Sequence, residues 1–114
     1  MKALQIKGYG EIRKNVFLGE VEKPQPQEGQ VLVEVHAASV NPVDYKIVLG
    51  NLKLLLRLKL PAVFGYDFAG VVVEKGVGVA HLEVGDSVYG RVPSKSPGTF
   101  AEFVAVEAEI VSLK

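Results

Sequence analysis

Cysteine is absent from the chain, and histidine occurs only at positions 36 and 81. The first absence removes disulfides, thiolate catalysis and cysteine-based zinc sites together. With His36 and His81 far apart in the sequence, a histidine-rich metal cage is not expected either. Net charge is also missing: 13 basic residues balance 13 acidic ones, so no overall field draws the chain to nucleic acid or to an anionic membrane. The longest apolar run falls far short of the roughly 20 residues that a membrane-spanning helix needs. The N-terminal stretch MKALQIKGYG has no continuous apolar core, so no secretory leader is read there and a cytoplasmic location is the expectation.

The 114 residues, 48% hydrophobic and 23% charged, suit one globular domain with a single core. Short runs of alternating or β-branched residues are separated by glycine and proline. Residues 3–7 place Leu4 and Ile6 on one face and stop at Gly8-Tyr9-Gly10. Residues 16–21 form a second short run, ended by Pro24 and Pro26, which lack backbone donors, and by Gly29, which permits a turn. In residues 31–35, Val31, Val33 and Val35 point one way, while Leu32, Glu34 and His36 point the other. His36 reads as a surface or hydrogen-bonded residue, because no acidic or nucleophilic partner adjoins it. Further strands are expected at 68–74, at 87–92, at 99–106 with Phe100 and Phe103 as anchors, and at 110–113. Neither glycine cluster makes a dinucleotide fingerprint, which needs strand, glycine turn and helix in succession. Residues 8–10 open no helix, and Gly76-Val77-Gly78 leads past His81, a solvated loop residue, into another turn at 84–86.

The pattern changes at NPVDYK, residues 41–46. Asn41 is a good helix N-cap, Pro42 suits the first helical position, and Asp44 at the third meets the helix dipole. A helix over residues 42–49, closed by Gly50 in a left-handed C-cap, follows from that spacing. These local roles, each stabilising by ~0.3–2 kcal/mol, account for Asn41 and Asp44 without any ligand. Tyr45 and Tyr66 read as half-buried aromatics, Lys46 as a solvated helix face and Asp67 as orienting neighbouring backbone. Residues 52–60, LKLLLRLKL, form a leucine stripe edged by Lys53, Arg57 and Lys59. We read it as a lid-like segment packed on the domain, with a short membrane-surface helix as the alternative. Many short strands with glycine turns and one or two short helices give a mainly β fold, a small, partly open barrel.

The order of NPVDYK (41–46), PAVFGYDFAGVVVEKG (61–76) and VGDSVYG (84–90) resembles the catalytic domain of the medium-chain dehydrogenase/reductase superfamily, and within it the zinc-free quinone oxidoreductases of the zeta-crystallin-like branch. The resemblance covers nearly all of the chain and names the barrel as GroES-like. In the zinc-dependent alcohol dehydrogenases of the superfamily, a cysteine stands at the place of Asn41 and a histidine at that of Tyr66. An amide and a phenol are poor zinc ligands, so the resemblance implies no catalytic metal. The structural-zinc lobe would fall near residues 91–99, a Pro/Ser/Gly loop without cysteine.

The resemblance implies hydride transfer from NADPH to the β-carbon of a quinone or conjugated enone. Asn41 would lie beside the nicotinamide and the substrate carbonyl, donating through its amide, with Tyr45 and Tyr66 as phenolic donors to the same cleft. Members of the family grip the dinucleotide phosphates with a second, doubly wound domain, which these residues do not contain. The chain alone is therefore expected to be an excised or engineered N-terminal fragment, catalytically inert and without tight NADPH binding. An unpaired strand edge at 109–113 would favour a homo-oligomer. Binding to nucleic acid or a membrane is not expected. A reading from another class, a free-standing GroES-like binding or co-chaperonin-type module, also suits the barrel and the length.

Overall fold

The computed structural model describes residues 1–50, 60–93 and 96–114, with Val43 and Ile47 described in their backbone alone. The segment 52–59, and with it most of the expected leucine-rich lid, lies outside the described residues, as do Ser94 and Lys95 in the loop after Val92. A central strand carrying three valines organises the larger sheet. This strand, β3 (Gln30–Ala37), lies between β5 (Asp67–Lys75) and β7 (Phe103–Glu107). With β6 (Ser87–Arg91) and β8 (Val111–Leu113) they form a five-stranded sheet in the order β7-β3-β5-β6-β8, paired antiparallel throughout. A three-stranded sheet, β2-β1-β4, is made by β1 (Lys2–Ile6), β2 (Val16–Glu20) and β4 (Ala62–Val63). Neither sheet closes on itself, so the fold is a mainly β, partly open GroES-like barrel.

The two sheets meet where the Phe100 segment runs beside β1. Leu4 N–H donates to Phe100 O at 2.8 Å, Ala3 bridges Ala101, and the Phe64 and Phe100 rings meet edge to face with centroids 5.0 Å apart. Ile6, Val31, Val33, Val72, Leu82 and Val88 are wholly or almost wholly buried between them. Removing such side chains from water is the main stabilising term for a β domain of this size.

Several expectations need correction. The residues after Gly10 do form a helix, but only one turn of it, α1 (Ile12–Asn15), with no buried residue. The last β-rich run begins at Phe103, because residues 99–102 leave the ladder to cross toward β1. Phe100 still anchors the core edge, while Phe103 lies under Lys23 Nζ, 4.2 Å from its ring centroid. A register shift between Leu32 and Val33 interrupts the alternation, and Val31, Leu32 and Val33 are all buried. His36 does have an acidic neighbour: Glu34, two residues away on the same strand face, places Oε1 3.0 Å from its Nε2. His81 lies 3.3 Å from Ala108 O, so its ring is tied to the backbone before β8.

Candidate functional site

The helix predicted after Asn41 is present as α2 (Pro42–Val48), and Gly50 follows with φ 87°, the left-handed conformation that ends it. Its cap works in the reverse sense to the simple N-cap. Asp44 Oδ2 accepts from the Asn41 backbone N–H at 2.7 Å, the back-reaching half of a capping box. The Asn41 side chain turns outward from the helix, and its Nδ2 donates to Asp67 Oδ2 at 2.6 Å. The other oxygen of Asp67, Oδ1, accepts from Arg91 Nη1 at 3.2 Å. Asp67 opens β5 and Arg91 closes β6, and the antiparallel register sets the two opposite each other.

Asp44 stands in the first turn of α2, as its position suggested, but it does not face solvent. It is wholly buried, and its Oδ1 finds no hydrogen-bond partner among the described residues. Burial pushes its carboxyl above the ordinary carboxylate value and the nearby charge of Asp67 adds to this, against the Asn41 N–H and Arg91, which favour the anion. Tyr66 is also wholly buried, with the Arg91 guanidinium 5.4 Å from its ring centroid. Burial, then the Asp44 charge, raise its phenol above the usual range, while Arg91 opposes the rise.

The site residues expected from sequence therefore separate. Asn41 and Tyr66 share one network through Asp67 and Arg91. Tyr45, 44% exposed, lies instead on a small apolar pocket of about 190 Å³ with Leu4, Ile12, Val40, Phe64 and Phe100. A larger cleft of about 480 Å³ is lined by Asp67 and Arg91 of the network together with Ala37, Phe68, Ala69 and Tyr89. Asp67 and Arg91 are the members that sequence reasoning missed as site residues. Asp67 directly follows Tyr66, but the register that brings it to Arg91 is a property of the folded sheet. No group of three or more His, Cys, Asp or Glu among the described residues is placed to hold a metal ion.

Comparison with known proteins extends this picture. The family model for the alcohol dehydrogenase GroES-like domain matches residues 27–114. A 2-methylene-furan-3-one reductase of Solanum lycopersicum is 42% identical over 120 residues, which cover 100% of this chain and 31% of that protein. A chloroplastic NADPH-dependent alkenal/one oxidoreductase of Arabidopsis thaliana is 40% identical over 120 residues, again covering 100% and 31%. The solved structure of the quinone oxidoreductase from Coxiella burnetii superposes with a TM-score of 0.93 at 36% identity, covering 100% of this chain and 37% of that one. The chain spans about a third of the length of these relatives.

Proposed function

This chain belongs to the alcohol dehydrogenase GroES-like domain family, and from that premise we propose that it is the substrate-side catalytic domain of a zinc-free, NADPH-dependent reductase of quinones or conjugated enones. The observation that carries the reading is the way Asn41 is held. One carboxylate takes its backbone N–H at 2.7 Å and another takes its side-chain amide at 2.6 Å, at the position where a metal-binding relative would carry a ligand. An amide fixed in this way is suited to hydrogen bonding, not to binding zinc. The named activities of the tomato and Arabidopsis relatives point to a carbon–carbon double bond beside a carbonyl as the acceptor class.

The residues present fit one end of the cofactor and not the other. A cleft of about 480 Å³ has room for a flat ring, and Asp67 and Arg91, which line it, connect it to Asn41. Among the described residues, however, neither glycine cluster opens into a helix longer than the single turn of α1, so neither offers the helix N-terminus that a pyrophosphate needs. The phosphates are therefore gripped outside these residues. When bound, the nicotinamide supplies the hydride. Asn41 has two amide hydrogens, one of which goes to Asp67; the other would be the donor to the carbonyl oxygen on which negative charge develops. Asp67 and Arg91 restrain the orientation of the amide, and the buried ring of Tyr66 lies beside Arg91.

The test is NADPH consumption with a conjugated enone and with a p-quinone, by a polypeptide that joins these residues to a dinucleotide-binding domain. Turnover is expected with at least one acceptor, and Asn41→Ala lowers kcat on the order of 10²-fold, the cost of losing one oriented donor. The isolated chain gives no turnover. Unchanged kcat in the Asn41→Ala protein overturns the reading.

A further inference from the structure

We propose that Asp67, held by Arg91 across the β5–β6 ladder, is a positioning residue that fixes the orientation of the Asn41 side-chain amide. The inference rests on the reading of Asn41 as a donor to the substrate carbonyl, and it assigns to the charge pair beside it a task that the reading leaves open.

The geometry divides the two carboxylate oxygens between two partners. Oδ1 accepts from Arg91 Nη1 at 3.2 Å, and Oδ2 accepts from Asn41 Nδ2 at 2.6 Å. An ionised carboxylate can only accept, so it requires the nitrogen end of the Asn41 amide to face it and turns Oδ1 of Asn41 the other way. The alternative, a flipped amide, would set two acceptors against each other. Arg91 takes the other oxygen of Asp67, so both carboxylate oxygens are engaged and the contact to Asn41 is held from the far side. Asp44 secures the same residue from the main chain, at 2.7 Å on the Asn41 N–H. Backbone and side chain of Asn41 are thus each fixed by a separate acid, and among the described residues only the Asp67 contact discriminates between the two ends of the amide. Replacing Asp67 by asparagine leaves a single acceptor oxygen for two donors, Arg91 and Asn41. Arg91 has only donors and must face the remaining oxygen, whereas Asn41 can turn its amide over to accept from the new NH2 group, so Asn41 is the partner that loses its orientation.

Solution NMR of the 114-residue chain reads this directly, without cofactor or turnover. In the unsubstituted protein one Asn41 side-chain N–H proton is displaced downfield and protected from solvent exchange. In Asp67→Asn both features are lost, while the Asn41 backbone N–H, which reports Asp44, stays in place. Unchanged Asn41 side-chain signals in a folded Asp67→Asn chain overturn the proposal. Should that variant fail to fold, acid titration of the unsubstituted chain decides. The Asn41 side-chain signals move with the same midpoint as the Asp67 carboxyl carbon, distinguished from Asp44, Arg91 and Tyr66 by their own resonances; a side chain indifferent to Asp67 titration overturns it. Because neither arm measures catalysis, failure here leaves the role of Asn41 to be decided by turnover, and failed turnover leaves the positioning contact standing.

Discussion

Asp44 carries a carboxyl into a place that gives Oδ2 one backbone donor and gives Oδ1 no partner among the described residues. The consequence for stability has a definite sign. Because burial raises its folded-state value above the ordinary 3.8, the contribution of Asp44 is fully present below pH 3.8 and declines as pH rises through the folded value. Asp44→Asn stays neutral throughout, so the stability of the variant minus that of the wild type shifts in favour of asparagine as pH rises from 3 toward 7. Urea denaturation of both proteins across that range checks it, and a pH-independent difference contradicts the burial of an ionisable Asp44. The sequence placed Asp44 correctly in the first turn of a helix. Its burial was not legible there, because the elements that cover it come from distant parts of the chain: Phe64 and Phe100 line the pocket that Asp44 adjoins.

At the scale of elements, α2 is a seven-residue helix, too short to be stable alone, and it exists because its ends and one face are held. Asn41, Pro42 and Gly50 announced its limits in sequence because capping chemistry is local. The strands were legible for the same reason, from β-branched runs and glycine turns. What pairing does to them was not. Gly70 shows why: a Cβ there would stand 2.0 Å from the Glu34 carbonyl oxygen, in the part of the β3–β5 ladder that places Asp67. No rotamer relieves a clash with backbone, so the strands must separate. Gly70→Ala is therefore expected to cost about 3 kcal/mol or more, at the upper end of overpacking effects, as a lowered denaturation midpoint. A loss below ~1 kcal/mol would mean that β3 and β5 approach less closely than described. The strand expected from residue 99 began at Phe103 instead, since the preceding residues bridge to β1, a choice that depends on the second sheet.

For the molecule as a whole, the larger sheet brings Asp67 of β5 and Arg91 of β6 to one cleft, and Asp67 links that cleft to Asn41 before α2. The resemblance located Asn41 from its motif, while Asp67 and Arg91 entered only through sheet register. On the proposed function, the chain would supply the oriented Asn41 amide and the cleft beside it, with the phosphates held elsewhere. That division suits a domain that works beside a nucleotide-binding partner domain, and it implies a regiochemistry. On the same proposal, an amide donor in place of a zinc ion would stabilise the carbonyl oxygen as an enolate, and the hydride supplied by the nicotinamide would go to the far carbon of the double bond. The direct test uses NADPH deuterated at C4 and a conjugated enone, with the polypeptide that joins these residues to a dinucleotide-binding domain. Deuterium is predicted on the β-carbon of a saturated ketone. Deuterium on the carbonyl carbon of an allylic alcohol would contradict the account.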